Sequence, residues 1–333
     1  MDGELLEKLV CPDCHGELEW QITRELDQKI EQAEARCSGC GAVYPVREGI
    51  GIFLTPDLDR NDLWEQAESQ LALHLKQHPD QEKQLLESPL ENLSPTDLHF
   101  RALLLEERGD YRGGKEAESL ANQQLYTEAY QVCWERQFEA VLDQLQTLDG
   151  PVIDLASGRC YLVERILEAQ EREVVVTDFS PGVLRRDRAY FQLLGRDHLL
   201  SFLAFDARKT PFRTGAVKIL TTNLGLPNIE DPGELVQELH RILGGTFLGI
   251  SHFFPPEDQK NREVIAGAGL EPFLYRDSLL DQFGGFDWTV SLEACCRSEA
   301  LPTPESEIIP GARADGLPAA PTELEWCLVR LEV

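Results

Sequence analysis

Residues 150–160 read GPVIDLASGRC, and residues 174–182 read VVVTDFSPG after a run of helical length. The first stretch holds a short apolar segment, Pro151 to Leu155, followed by three small residues. Small residues at the end of a strand let a ligand lie against the backbone, and the run from Tyr161 to Ala169 has helical spacing. The second apolar segment ends at Asp178. The pattern predicts a strand, a turn, a helix and a second strand, which is the repeating unit of a doubly wound α/β domain.

The turn after the first strand lacks the glycines of a dinucleotide site, because only Gly158 is glycine. It resembles instead motif I of the Rossmann-like S-adenosylmethionine (SAM) methyltransferases, Asp-x-Gly-x-Gly-x-Gly. Asp154 and the central Gly158 are in place, whereas Ala156 and Cys160 depart from the motif. SAM carries no phosphate, so the resemblance implies that the helix N-terminus faces the methionine carboxylate and that Asp154 takes the ammonium. Asp178 is placed to accept both ribose hydroxyls.

Further motifs follow in the order of that family. Residues 206–212, DARKTPF, look like its Asp-Ala-x-x-Leu-Pro-Phe, whose acid commonly faces the adenine amino group. Residues 223–229, NLGLPNI, end a fourth apolar strand, and residues 232–245 resemble the helix and Gly-Gly turn before the fifth strand. Lys218 departs from the Asp that is usual in the fourth strand. The resemblance covers about residues 126–295 and implies a cofactor site formed by Asp154, Ala156, Gly158, Asp178, Phe179, Asp206, Ala207 and Asn223.

Two Cys-x-x-Cys knuckles stand near the N-terminus, with Cys11 and Cys14 in the first and Cys37 and Cys40 in the second. Four thiolates in two short loops suit a tetrahedral zinc ion. The separation between the pairs is slightly long, and we expect a hairpin with arms at Glu19–Ile22 and Glu34–Arg36 to account for it. Disulfides are the alternative. No signal peptide or membrane-length apolar run is present, so we expect a reducing, cytoplasmic compartment, which disfavours them.

The residues around the knuckles carry a second resemblance. LVCP at 9–12 and YPVREGI at 44–50 resemble the small zinc-ribbon activator subunit that partners tRNA and release-factor methyltransferases, although Gly51 replaces the usual Pro. The resemblance implies a ribbon that packs on the catalytic domain and supports it. Ile50, Ile52 and Phe53 are then contact residues, or they only fill the small core of the ribbon.

Composition and charge limit the partners. The chain has 333 residues with 42% hydrophobic content, which suits two or three folded units. Its formal charge is 31 − 59 = −28, and such a field repels phosphate backbones and anionic membranes. Nucleic acid and membranes are therefore disfavoured partners. Arg185, Arg186 and Arg188 form a local basic cluster, which we interpret as a solvated helix face.

The remaining segments complete the expected architecture. Residues 57–149 predict three or four helices: Asp59–Leu75, Thr96–Glu107 and a long or kinked last pair over Glu116–Leu148. Phe286–Arg297 and Glu323–Val333 predict the antiparallel last hairpin of a seven-stranded methyltransferase sheet. Leu301–Pro321, between them, either covers the site or is mobile. The predicted domains are a zinc ribbon at 1–55, a helical connecting segment at 56–149 and a methyltransferase domain at 150–333.

Together these features predict SAM-dependent methyl transfer to a small or medium-sized acceptor. His252 is the candidate general base, with a structural role as the alternative, and Asn223 either orients the acceptor or caps its loop. Two other functions stay open: an rRNA or tRNA methyltransferase, and a binding protein of the same fold that has lost the cofactor. Ala156, Cys160 and Lys218 favour the second. The sequence identifies neither the acceptor nor the oligomeric state.

Overall fold

The computed structural model describes residues 1–55 and 63–333, and a sheet of eleven strands runs through these residues. The order of strands across the sheet is β1-β2-β3-β4-β7-β6-β5-β8-β9-β11-β10. Their bounds are β1 (Leu18–Leu26), β2 (Lys29–Cys37), β3 (Val43–Arg47), β4 (Ile50–Ile52), β5 (Val152–Asp154), β6 (Val174–Asp178), β7 (Leu200–Ala204), β8 (Val217–Asn223), β9 (Leu243–Phe253), β10 (Thr289–Ala300) and β11 (Thr322–Glu332).

The seven strands from β5 to β11 have the predicted doubly wound arrangement. Strands β7, β6, β5, β8 and β9 are parallel neighbours, and β11 pairs antiparallel with both β9 and β10. Every residue of β5, β6 and β7 is buried, as expected for parallel strands that are covered on both faces. The expected α/β fold with an antiparallel last hairpin is confirmed.

Helices cover both faces of this sheet. On one face α8 and α11 pack on Leu220 and Phe247, and on the other α5, α6 and α7 pack on Val176 and Phe202. The helices are α1 (Leu63–Gln77), α2 (Pro79–Glu87), α3 (Pro95–Glu107), α4 (Tyr111–Leu125), α5 (Glu128–Leu145), α6 (Tyr161–Ala169), α7 (Pro181–Leu193), α8 (Pro232–Ile242), α9 (Gln259–Gly267), α10 (Glu271–Leu274) and α11 (Arg276–Phe283). Among the helices that the structure describes, none has both the length and the apolar character needed to cross a bilayer.

The N-terminal ribbon is part of the same sheet, which therefore has eleven strands instead of the expected seven. Strand β4 pairs in parallel with β7, with Ile50 opposite Phe202. The Phe53 N–H continues the ladder by donating to the Ala204 carbonyl at 2.7 Å. The Lys29 ammonium, on β2, donates to the Leu200 carbonyl at 2.5 Å. The ribbon therefore covers what would otherwise be the open edge of β7.

The described part of the helical segment holds five α-helices, α1 to α5, where three or four were expected. The first predicted helix begins at Asp59, which lies outside the described residues, and α1 is described from Leu63. The stretch Glu116–Leu148, predicted as a long or kinked pair, contains parts of two helices, α4 and α5, because Thr127 caps a new helix by accepting from the Tyr130 N–H.

The segment between β10 and β11 packs on this helical region. The Ser306 hydroxyl donates to the buried Asp97 carboxylate at 2.5 Å, and the Thr96 hydroxyl donates to the Pro304 carbonyl at 2.6 Å. Ile308 and Ile309 enter a small apolar cluster with Leu98. Residues 301–321 thus hold α3 in place from the far end of the chain.

Gly51 provides a test of the joined sheet. A Cβ at this position would lie 2.8 Å from a Leu203 methyl carbon and 2.9 Å from the Phe53 ring. We expect Gly51→Ala to lower the free energy of unfolding by about 1–3 kcal/mol, because neither neighbour can move away within the packed core. Gly3→Ala is the matched control, since nothing lies within 4 Å of its Cβ. Chemical denaturation of both variants would contradict the joined sheet if the two were equally stable.

Candidate functional site

The loop between β5 and α6 has an unusual backbone. Ala156, Gly158 and Cys160 all have left-handed φ angles, of 52°, 53° and 59° respectively. Glycine adopts this region most readily, which accounts for glycine at these three positions in the motif. Here two of the positions carry side chains, so the surrounding contacts must hold the loop in this conformation. Two of these contacts are the Ser157 N–H to the Thr177 carbonyl at 2.8 Å and the Ser157 hydroxyl to the Asp154 carbonyl at 3.0 Å.

Asp154 ends β5 in the middle of the sheet and is buried. Its Oδ1 accepts from the Thr221 hydroxyl at 2.6 Å. Its Oδ2 is buried and has no hydrogen-bond partner among the described residues. Burial raises the pKa of this carboxyl to about 6. A cation or a donor group is therefore needed to satisfy the ionised side chain.

Asp178 ends β6 and is held by backbone groups of the same loop. Its Oδ2 accepts from the Gly158 N–H at 3.1 Å, and its Oδ1 accepts from the Ser180 N–H at 3.0 Å. Burial raises the pKa of this carboxyl to about 6. A carboxylate has about four acceptor sites, so two remain for a ligand.

Asp206 follows β7 and pairs with Arg208. The Arg208 guanidinium donates to Oδ1 from Nε at 3.0 Å and to Oδ2 from Nη2 at 2.7 Å. The Arg208 backbone N–H also donates to Oδ1, at 2.8 Å. About one acceptor site therefore remains, on Oδ2. The predicted neighbours Phe179 and Ala207 are half-buried and buried, respectively.

Asn223 ends β8 and accepts from the Trp134 indole N–H, on α5, at 3.1 Å. The turn after it lies against the loop between β5 and α6, residues 155–160, which we call the glycine loop, because a Cβ at Gly225 would lie 2.9 Å from the Ala156 Cβ. The ends of β5 and β8 and the helix α5 therefore meet at one place.

A cleft of about 320 Å³ opens beside Trp134, between α4, α5 and α6. Its walls are aromatic and polar, and its charged groups form ion pairs, such as Lys115 with Glu164 at 2.6 Å and Arg165 with Glu135 at 2.6 Å. This volume is at the lower end of the range of small-molecule pockets. The aromatic residues that line it are Tyr126, Trp134, Phe138, Tyr161 and Tyr190.

His252 is not among the residues that line this cleft and packs against aromatic side chains. Its ring is 5.1 Å from the Trp326 ring and 5.8 Å from the Phe254 ring. Its buried Nδ1 has no hydrogen-bond partner among the described residues. Burial lowers the pKa of this imidazole to about 4, so it is neutral near pH 7. Its role as a base stays a prediction.

Arg159 is a central residue that the sequence reasoning missed. Its guanidinium is buried and donates to both Glu106 oxygens, at 2.6 and 2.8 Å, and to Glu118 at 2.5 Å. These acids lie on α3 and α4, so the helical segment is attached to the residue that follows Gly158. The available signal was an arginine within a loop of small residues.

The cluster of Arg185, Arg186 and Arg188 is not a solvated face, which corrects the earlier interpretation. Arg186 donates to Asp187 and to the Gly158 carbonyl, both at 3.0 Å, and Arg188 pairs with Glu31 of the ribbon at 2.5 Å. Arg185 is exposed. Arg186 and Arg188 therefore support the glycine loop and the ribbon, and Arg185 alone fits the expected solvated face.

The four knuckle cysteines come together at the end of the ribbon. Their sulfur atoms all lie within 4.8 Å of one another, with Cys11 and Cys40 at 3.6 Å and Cys14 and Cys37 at 3.4 Å. Two thiolates on one zinc ion are about 3.8 Å apart when each Zn–S bond is about 2.3 Å long. A Cβ at Gly16 would lie 3.0 Å from the Cys37 sulfur, so the close approach of the first loop favours glycine.

Two families match the chain in the expected order. Residues 2–49 match the family described as Trm112p-like protein, and residues 153–248 match the family described as methyltransferase domain. The chain therefore combines a Trm112p-like N-terminal region with a region similar to methyltransferase domains. The UPF0434 protein of Methylobacillus flagellatus is 39% identical over 54 residues, which are 16% of this chain and 77% of that protein. The N-terminal part of this chain therefore belongs to the same family as that UPF0434 protein.

Other similarities concern the methyltransferase domain. The ubiquinone/menaquinone biosynthesis C-methyltransferase UbiE of Coxiella burnetii is 30% identical over 127 residues, which are 37% of this chain and 50% of that protein. The chain thus spans about half the length of the curated methyltransferases that it matches. The solved structure of the YcgJ protein from Bacillus subtilis has a TM-score of 0.47 and 15% identity, covering 60% of this chain and 98% of that one.

The buried ion pairs of Arg159 predict a large effect on stability. Arg159→Met should lower the free energy of unfolding by about 3–5 kcal/mol, because it leaves Glu106 and Glu118 buried without their main cation. Arg165→Met is the matched control: its pair with Glu135 is substantially exposed and should contribute about 0–1 kcal/mol. Denaturant titration of both variants measures this difference. Similar losses in the two would mean that Arg159 does not hold the helical segment.

Proposed function

We propose that this protein is a SAM-dependent methyltransferase with a small or medium-sized acceptor. The unpartnered Oδ2 of Asp154 carries the proposal, because it is a buried carboxylate oxygen at the carboxyl end of the central strand. Ligands of open α/β sheets bind at this edge. The α-ammonium of a bound methionine group would satisfy the oxygen.

The other carboxylates suit the rest of the cofactor. Asp178 retains acceptor sites for the two ribose hydroxyls, and Asp206 retains one for the adenine amino group. Ala156, Gly158, Phe179, Ala207 and Asn223 would complete the lining. Because the donors now on Asp178 and Asp206 belong to the chain itself, we expect the glycine loop and Arg208 to adjust slightly when the cofactor binds.

SAM supplies an activated methyl group on its sulfonium, and the remaining task of the chain is to hold the acceptor in line. The aromatic cleft beside Trp134 is our candidate acceptor site, because Trp134 joins it to Asn223 at the end of β8. Such alignment can lower the activation free energy by several kcal/mol. An acceptor that must lose a proton would need a base. His252 stays the candidate from the sequence, but it is not among the residues that line this cleft, and its low pKa makes it a weak base.

Small-molecule acceptors fit two observations. Similar proteins carry the name of C-methyltransferases of ubiquinone and menaquinone biosynthesis, and the cleft has aromatic walls with paired charges. An RNA acceptor is disfavoured by the net charge of −28 and by the pairing of Arg186 and Arg188 with carboxylates.

The ribbon is proposed to hold one structural zinc ion and to stabilise the catalytic domain. Cys11, Cys14, Cys37 and Cys40 would fill a tetrahedral shell and leave no position for water. Burial raises the pKa of the Cys37 thiol, but hydrogen bonds from the N–H groups of Cys40 and Gly39 help to lower it to about 6. The thiolate form of Cys37 is therefore favoured near pH 7. Strand β4 then supports β7, which leads directly into Asp206.

Binding of SAM and its pH dependence test the cofactor site. We expect calorimetry to detect SAM binding, and Asp154→Asn to weaken it by about 2 kcal/mol at pH 8, because a charged hydrogen bond is lost. The ammonium needs ionised Asp154, whose pKa in the free protein is about 6. Affinity should therefore be full above that pH and fall as the pH drops through it, by up to about tenfold per unit for this group.

The variant and a control make this test specific. Asp154→Asn has no proton to exchange at this position, so its affinity should depend less steeply on pH than that of the wild type. Asp143→Asn, which removes an exposed acid on α5, should leave affinity and pH profile unchanged. If the wild type did not bind SAM, the proposed activity would be wrong and a non-catalytic binding protein would be favoured. If Asp154→Asn bound SAM as tightly as the wild type, Asp154 would not be the group that binds the ammonium.

Metal analysis tests the ribbon. We expect one zinc per chain in the wild type and a large loss of zinc in Cys37→Ser, because three thiolates hold the ion less tightly than four. Cys295→Ser, outside the ribbon, should retain the metal. Equal zinc in the wild type and in Cys37→Ser would refute the assignment.

A further inference from the structure

A β-bulge in the last hairpin brings together two cysteines that the proposed function does not use. Glu293 pairs with Leu328 and Cys296 pairs with Trp326, so two residues of β10, Ala294 and Cys295, oppose the single residue Cys327 of β11. Ala294 takes the left-handed φ of 49° at this bulge. Bulges commonly re-aim a side chain, and this one directs Cys295 towards Cys327.

The two sulfur atoms lie 2.6 Å apart, and both cysteines are free thiols. Two thiolates that share a zinc ion would be about 3.8 Å apart, so the separation is too short for a bridging metal and closer to direct bonding. Glu325, the third group at this place, already pairs with Arg276 at 3.0 Å. The geometry therefore favours a sulfur–sulfur bond over metal binding.

The two thiols differ in accessibility. Cys295 is exposed, whereas Cys327 is fully buried in the core that contains Val329 and Leu331. Burial also raises the pKa of Cys327 well above its usual range, so this sulfur stays a thiol. An oxidant in solution reaches Cys295 first, and Cys327 is positioned to resolve the product.

We propose that Cys295 and Cys327 form a reversible disulfide, in which Cys295 is the peroxide-sensing thiol and Cys327 the resolving thiol. The Cys295 thiolate attacks the O–O bond of a hydroperoxide, which is reduced to an alcohol or water as Cys295 becomes a sulfenic acid. The Cys327 thiol then forms the S–S bond and water leaves. Two thiols and one hydroperoxide thus give one disulfide, one alcohol or water, and one further water. A dithiol or monothiol reductant reverses the reaction by exchange.

Peptide mapping of the full chain tests this site without interference from the ribbon thiols. The reduced protein is treated with hydrogen peroxide, quenched in acid, alkylated and digested with trypsin without reduction. Trypsin separates residues 277–297, which contain Cys295 and Cys296, from residues 314–330, which contain Cys327. We expect these two peptides to be joined, with a mass 2 Da below the sum of the two peptides when Cys296 is counted as alkylated, and to separate after treatment with dithiothreitol.

Variants identify the sulfur atoms. Cys295→Ser should abolish the linked peptide, whereas Cys296→Ser, which removes the neighbouring thiol on the opposite face, should retain it. Cys295 is exposed, so its serine variant is expected to fold. In Cys327→Ser the sulfenic acid at Cys295 should persist and react with dimedone. The proposal is overturned if the wild type gives no 277–297/314–330 link, or if the link survives in Cys295→Ser.

Discussion

The pairing of β4 with β7 is the interaction on which the rest of the molecule depends. Three residue pairs, Ile50–Ile52 against Phe202–Ala204, join the ribbon to the methyltransferase sheet. Around them the two parts share one core, in which Phe53 and Tyr44 of the ribbon contact the same cluster as Leu203 and Phe212. A module of about fifty residues builds little core alone, and β7 without the ribbon would have an unpaired edge. The methyltransferase sheet therefore gives the ribbon a larger core, and the ribbon pairs with the edge of β7 that would otherwise be open.

A second constraint acts from the opposite side of the glycine loop. Arg159 connects that loop to α3 and α4, and residues 301–321 hold α3 through Asp97. Buried ion pairs recover their cost of desolvation only when the geometry is good, and here the guanidinium has three short contacts to two acids. The helical segment is therefore attached to the glycine loop by directional bonds and not by apolar packing alone. This attachment helps to hold left-handed backbone at Ala156 and Cys160.

The sequence predicted those features that leave a local pattern. Buried parallel strands leave continuous apolar runs, and each carboxylate of the candidate site follows such a run, as Asp178 follows β6. The cysteine spacing predicted the four-sulfur cluster. Contacts between distant segments leave no such pattern. Strand β4 has only three residues, too few for alternation to reveal its partner, and nothing next to Arg159 in the chain indicates Glu106, 53 residues away. The pairing of Arg188 with Glu31 was missed for the same reason.

The departures from motif I can now be weighed against the non-catalytic alternative. Lys218 is exposed near the start of β8 and donates to the Gly244 carbonyl at 2.8 Å, whereas the candidate site is at the other end of that strand. Ala156 and Cys160 have φ angles of 52° and 59°, values that glycine adopts without strain. A side chain in this conformation costs about 1–2 kcal/mol. The two side chains therefore make the loop less stable but leave its backbone conformation unchanged. The Cys160 side chain is buried, with its thiol 3.4 Å from Asp187 on α7. It thus fills space beneath the loop, and none of the three departures removes an acceptor from Asp154, Asp178 or Asp206.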